Sequence, residues 1–257
     1  MTKRARDAIA ALRRSHDELT AFVQGLDPDQ LEIQSGASEW TVAEVLSHLG
    51  SAAEIGLNTL TAGKADMGAA PDVWERWNAM SALEQAANFA AADGQLVERL
   101  ESLDDEVLAT QKIDVGFLPA PIDIAFLAGM RLSEVGLHRW DVEVAFDPAA
   151  RVTDYIVPFV FENLPMFASF FAKPIGRSGR IAVDTMDPTR HYLLELGDTG
   201  ATLSEASDDN ADTHTQLPAE AFLRLTSGRL RPDHTPASVT VEGHFSLDDL
   251  RQVFPGY

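Results

Sequence analysis

The chain has 257 residues, 45% of them hydrophobic, so it can bury one large core or two modest ones. It contains no cysteine, which excludes disulfides, thiolate metal ligands and a cysteine nucleophile, and leaves His, Asp and Glu as possible metal ligands. A formal net charge of -20 disfavours nucleic acid and anionic membranes as partners. The N-terminus lacks the apolar segment of a secretory signal and no apolar run could span a membrane, so we expect a cytoplasmic protein.

Four long helical patterns occupy the first half of the chain, with apolar residues at the three- and four-residue spacing of amphipathic helices. The start of the second is marked by Thr41 and Glu44, which predict a capping box. The helices are predicted at residues 3–26, from residue 41 to a loop at 61–72, at 73–103, and within 121–146. Four such helices joined by loops predict an antiparallel four-helix bundle over residues 1–149.

The second half has a different character, with short alternating segments between turn residues. Helices are predicted at residues 153–171, 218–226 and 246–254, and strands at 180–185, 191–196, 201–205 and 238–241. Residues 207–213 are predicted to form an acidic, solvated loop. We therefore expect a small α+β domain over residues 150–257, and an α+β, two-domain fold for the whole chain.

A polar stripe runs along the fourth helix, which is otherwise apolar nearly all round. Arg131, Glu134, His138 and Asp141 fall within less than a quarter turn of one another. Buried ionisable groups are costly unless they are paired or bind a metal, and Glu134 and His138 are spaced to reach one ion. Asp141 either orients a histidine through its second ring nitrogen or forms an ion pair with Arg131 or Arg139.

His48, on the apolar face of the second helix, is the third candidate ligand. A lone histidine there is often a core residue, and a Glu-x-x-x-His pair is also common by chance. Together, two facing helices supply two histidines and a carboxylate, which is how bundles hold metals, and three ligands leave one position open. We expect Trp40 and Trp140 in the core, and the remaining histidines, His16 among them, as surface or structural residues.

Two segments carry a family resemblance. SEWTVAEVLSHLG resembles the start of helix two in the DinB-like metal-binding bundles, and EVGLHRWDVEVA is similar to the helix-four motif of the mycothiol-dependent maleylpyruvate isomerase family. That family joins the bundle to a C-terminal α+β domain with a sterol-carrier-like fold. The resemblance implies a divalent metal, usually zinc (Zn²⁺), held by His48, Glu134 and His138. It also implies mycothiol as the thiol cofactor and an actinobacterial-type cytoplasm.

The same resemblance implies that the C-terminal domain contributes an arginine to an active-site cleft. Arg229 occupies the Gly-Arg position in AFLRLTSGRL, with Arg224 as the alternative, and Arg229 can equally be a turn residue after a helix.

Together these features predict a metal- and mycothiol-dependent isomerase or S-transferase acting on a small electrophile such as an unsaturated keto acid. A metal-dependent hydrolase, with water in the open position, and a non-catalytic ligand-binding or regulatory protein are the alternatives. The expected partners are a small-molecule substrate and a thiol, in a monomer or homodimer.

Overall fold

The computed structural model describes residues 2–208 and 210–256. The chain divides into two compact units, a helical unit that ends at Asp147 and a sheet unit that begins at Pro148. This order of helices followed by a mixed sheet confirms the predicted α+β class. Within the described residues, no helix is both long enough and apolar enough to cross a membrane.

The helical unit is built around four long helices whose apolar faces meet in one core. The contacts are between α1 and both α5 and α7, and between α3 and both α5 and α7, as in a bundle. Thr41 and Glu44 form the predicted capping box at the start of α3. The elements are α1 (Thr2–Gln24), α2 (Pro28–Leu31), α3 (Val42–Ala62), α4 (Ala70–Asn78), α5 (Ala82–Glu101), α6 (Asp105–Thr110), β1 (Lys112–Ile113), β2 (Ile122–Asp123) and α7 (Ile124–Glu143).

The prediction of one continuous helix over residues 73–103 is wrong. The chain forms α4 and α5 instead, separated by a short break. Ser81 accepts a hydrogen bond from the Glu84 backbone amide, and the Glu84 side chain accepts one from the Ser81 backbone, so a second capping box starts a new helix. After the break α4 packs against α3.

The sheet unit has a five-stranded sheet in the order β5-β4-β3-β6-β7. Strands β3 and β6 are parallel, and the other neighbours are antiparallel. The elements are α8 (Val157–Phe161), α9 (Leu164–Phe171), β3 (Gly179–Met186), β4 (Arg190–Gly197), β5 (Gly200–Ser204), β6 (Thr213–Pro218), α10 (Ala219–Thr226), a 3-10 turn (Pro232–His234), β7 (Thr240–Gly243) and α11 (Leu247–Val253).

Two predictions for this unit need correction. The helix expected at 153–171 is two helices, because the chain leaves helical geometry at Asn163 and restarts with Pro165 in the first turn of α9. Strand β6 is absent from the sequence prediction, because threonines take the buried positions of its alternating pattern. Of the predicted acidic loop, Asp209 lies outside the described residues, and Thr213 already belongs to β6.

Candidate functional site

The three predicted ligand residues come together inside the helical unit. His48 projects from α3, and Glu134 and His138 project from adjacent turns of α7. His48 Nε2 lies 3.1 Å from Glu134 Oε1, and the centroids of the two imidazole rings are 4.7 Å apart. The side chains of His48 and Glu134 are about one-third exposed, so a ligand can reach them from solvent.

Asp141 fixes the orientation of His138. His138 Nδ1 donates to Asp141 Oδ2 at 2.8 Å, and Asp141 is fully buried. An ionised carboxylate only accepts hydrogen bonds, so in this contact the ring proton of His138 lies on Nδ1. This contact is the one that a histidine-orienting role for Asp141 requires, and Arg139 pairs with Glu18 and Glu143.

Arg131 holds Glu134 in its ionised form. Arg131 Nη1 donates to Glu134 Oε2 at 2.8 Å, while Glu134 Oε1 faces His48. Burial alone would raise the pKa of Glu134, but the charge of Arg131 and the hydrogen bond from His48 outweigh it and hold that pKa well below its usual range. The carboxylate is therefore charged at every physiological pH.

A second carboxylate, Asp93 of α5, lies behind Arg131. Arg131 Nη2 donates to Asp93 Oδ1 at 2.6 Å and also to the Leu49 carbonyl, and His16 Nδ1 donates to Asp93 Oδ2 at 2.7 Å. Burial would raise the pKa of Asp93, but the Arg131 charge and the hydrogen bonds outweigh it, so its pKa is lowered. These contacts form a continuous network from the buried His16, through Asp93 and Arg131, to the partly exposed Glu134.

Sequence reasoning missed Asp93, which is also the hydrogen-bond partner of His16. A signal was present, because Asp93 lies four residues after the buried Phe89 and four before the buried Val97, on the apolar stripe of α5. A carboxylate on such a stripe requires a cationic partner.

Trp40 and Trp140 have different environments, although both were expected in the core. Trp140 is buried, but Trp40 is 36% exposed. The Trp40 ring lies beside both histidines of the cluster, at centroid distances of 5.0 Å from His48 and 6.0 Å from His138. The expectation for Trp40 was therefore wrong, and its ring forms part of the site wall.

In the structure the side chains of His48, Glu134 and His138 are held by hydrogen bonds to one another and to their neighbours. Across residues 2–208 and 210–256, no group of three or more His, Cys, Asp or Glu side chains has a geometry that could hold a metal ion. His48 is paired with Glu134, and His138 is paired with Asp141. Metal binding by His48, Glu134 and His138 therefore stays a prediction.

The two candidate arginines lie in the sheet unit and differ in environment. Arg224 is 2% exposed, and its guanidinium donates to both carboxylate oxygens of Glu220, at 2.8 and 2.9 Å, which makes it a core ion pair. Arg229 is 8% exposed, and its Nη1 donates to the Ser227 carbonyl at 3.2 Å. Gly228, just before it, has a φ of +74°, and a Cβ there would lie 2.4 Å from backbone atoms of Gly256. The turn that presents Arg229 therefore requires glycine.

A helical bundle followed by a mixed sheet domain defines the structural class of this chain. Two solved structures share it: the mycothiol-dependent maleylpyruvate isomerase and a histidine-to-alanine mutant of that enzyme. They are 12% and 11% identical to this chain, each with a TM-score of 0.68 over 94% of this chain and 95% of theirs, so they establish similarity of fold.

Residues 12–143, which are 132 of the 257, match the family profile described as the mycothiol maleylpyruvate isomerase N-terminal domain. The chain belongs to this family. No curated protein sequence matches it significantly.

Proposed function

We propose that this chain is a mycothiol-dependent isomerase or S-transferase in which His48, Glu134 and His138 hold a divalent metal ion, zinc. Membership of the mycothiol maleylpyruvate isomerase family supports the thiol and the class of reaction. The observation that carries the metal assignment is the meeting of two imidazoles and one ionised carboxylate from facing helices.

The donor set suits zinc, which binds neutral imidazole and carboxylate oxygen. Two ligand atoms about 2.0–2.1 Å from a tetrahedral ion are roughly 3.3 Å apart, and His48 Nε2 and Glu134 Oε1 are 3.1 Å apart. Asp141 on the far nitrogen of His138 is the usual support of a metal-binding histidine. A divalent ion bound there would lower the pKa of a thiol and so supply a thiolate nucleophile.

The residues around the ligands keep the site ready for that chemistry. Arg131 keeps Glu134 charged, and Asp141 orients the His138 ring through Nδ1. The Trp40 ring lies against both imidazoles and restricts the space they can occupy. These contacts support a defined orientation of Glu134 and His138, which metal binding would exploit.

We assign to Arg229 the role of stabilising the negative charge of the substrate. When a thiolate, its proton already released to solvent, adds to an activated double bond, a carbon–sulfur bond forms, the carbon–carbon π pair becomes the enolate double bond, and the carbonyl π pair moves onto the carbonyl oxygen. A guanidinium stabilises such an oxyanion, or a carboxylate on the substrate, through charge-assisted hydrogen bonds. Rotation and loss of the thiol then give an isomer, whereas protonation at carbon gives an S-conjugate.

The test is turnover of maleylpyruvate and related unsaturated keto acids with and without mycothiol. We expect conversion that requires the thiol and is lost in His138→Ala. The matched control is His191→Ala, because His191 is an exposed histidine of the sheet unit that pairs with Asp184. Activity without any thiol would favour the hydrolase alternative, and binding without turnover would favour a regulatory protein.

A further inference from the structure

The guanidinium of Arg131 is buried and is directed at three different partners. Its Nε and Nη2 both donate to Asp93 Oδ1, at 3.1 and 2.6 Å, and Nη2 also donates to the Leu49 carbonyl at 2.8 Å. Its Nη1 donates to Glu134 Oε2 at 2.8 Å. Because Asp93 lies on α5 and Leu49 on α3, two other helices fix the plane of the guanidinium.

The bond to Glu134 distinguishes Arg131 from an ion pair that only joins two helices. Asp93 alone balances the charge of Arg131 and already links α5 to α7. Arg139, also on α7, shows such a joining role, since its ion pairs run to two glutamates outside the cluster. The remaining nitrogen of Arg131 instead reaches one of the three candidate metal ligands.

This contact gives the two oxygens of Glu134 different surroundings. Oε2 accepts the hydrogen bond from Arg131, while Oε1 lies 3.1 Å from His48 Nε2. Turning the carboxylate so that both oxygens face His48 would break the charge-assisted hydrogen bond to Arg131. While that bond is kept, one oxygen of Glu134 is available to an ion beside the histidines.

The number of carboxylate oxygens that bind decides how many positions of an ion stay open. A carboxylate can bind through one oxygen or through both. Two imidazole nitrogens and one oxygen are three donor atoms, which leave the fourth position of a tetrahedral ion open, as in catalytic zinc sites. A second oxygen from Glu134 would compete with an incoming ligand for that position.

We propose that Arg131, held by Asp93, is a positioning residue that engages one oxygen of Glu134 and so keeps one coordination position of the metal open for a thiol. This role rests on the proposed function, since it concerns the same metal. Asp93 is needed for charge as well as for anchoring. Two carboxylates and one guanidinium leave a net negative charge, so Arg131 does not cancel the attraction for a divalent cation.

The test is cobalt substitution, because Co²⁺ can replace zinc and its visible absorption depends on coordination geometry. We expect the wild type with Co²⁺ to show the intense blue spectrum of a four-coordinate ion. Added β-mercaptoethanol should give the near-ultraviolet absorption of a sulfur-to-cobalt bond. In Arg131→Lys, a single ammonium group replaces the planar fork that holds both carboxylates. The visible spectrum should then weaken toward that of a five- or six-coordinate ion, and the thiol absorption should be lost.

Arg139→Lys is the matched control, because Arg139 is also paired on α7 but its ion pairs run to Glu18 and Glu143. Its cobalt and thiol spectra should equal those of wild type. If Arg131→Lys does not fold, Asp93→Asn takes its place, since it frees Arg131 from α5 and leaves the charge of Arg131 intact. The same direction of change is expected there.

The outcomes separate this role from the metal site itself. Six-coordinate cobalt in wild type, or unchanged cobalt and thiol spectra in the folded Arg131→Lys or Asp93→Asn protein, would overturn the role of Arg131 and leave the metal site standing. A wild type that binds neither cobalt nor zinc would refute the proposed metal site, and the role of Arg131 with it.

Discussion

Replacement of Asp93 by asparagine tests the buried network behind the site. The substitution keeps the shape of the side chain and removes its charge. Arg131, which is 6% exposed, would then keep only Glu134 as a charged partner. Removing one partner of a buried ion pair costs about 3–5 kcal/mol of unfolding free energy. Since Glu134 compensates in part, we expect a loss near the lower limit, about 3 kcal/mol.

The assay is urea unfolding followed by tryptophan fluorescence. All four tryptophans, Trp40, Trp74, Trp77 and Trp140, lie in the helical unit, so the signal reports on that unit alone. The matched control is Asp105→Asn, because Asp105 pairs with Arg6 at the surface, where such pairs contribute about 0–1 kcal/mol.

The pH dependence supplies a second measurement of the same network. Because the pKa of folded Asp93 is lowered, its stabilising contribution is complete above the pKa of an ordinary aspartate and is lost as pH falls from there through the lower pKa of the folded protein. Asp93→Asn should therefore flatten the acid side of the stability profile. A variant within about 1 kcal/mol of wild type, with an unchanged acid profile, would refute the reasoning.

Three further changes have defined outcomes. Asp141→Asn should weaken metal binding about 10- to 100-fold by competition with a chelator, because it loosens the orientation of His138, and unchanged affinity would contradict that role. Gly50→Ala should lower the thermal midpoint, since its Cβ would lie 2.2 Å from the ring of Trp77. Thr41→Ala should lower the free energy of unfolding in urea by about 1 kcal/mol, because α3 loses its cap. A decrease of less than about 0.3 kcal/mol would contradict this role.

The sequence predicted the part of the site that follows from one helix. Helical periodicity places Glu134, His138 and Asp141 on one face wherever α7 lies, so their proximity required no tertiary information. His48 was found because it lies on the apolar face of a helix with a clear start signal. Asp93 was missed because its role is to pair with Arg131, which lies 38 residues away in the sequence, and only tertiary packing brings the two together.

The prediction errors in the fold have similar physical causes. The break between α4 and α5 is carried by Ser81 and Glu84, a short signal inside a long amphipathic pattern. Strand β6 was missed because Thr213 and Thr215 are buried in place of apolar residues, so hydropathy alone showed no alternation. Trp40 was expected in the core, whereas it is 36% exposed and its ring lies beside His48.

The most direct test of the account is elemental analysis of protein purified without chelators or a histidine tag, with wild type beside His138→Ala and His191→Ala. We predict about one divalent ion, zinc, per chain in wild type and in His191→Ala, and its loss in His138→Ala. Wild type that stays free of metal after zinc is supplied, or His138→Ala that retains it fully, would contradict the assignment of His48, Glu134 and His138.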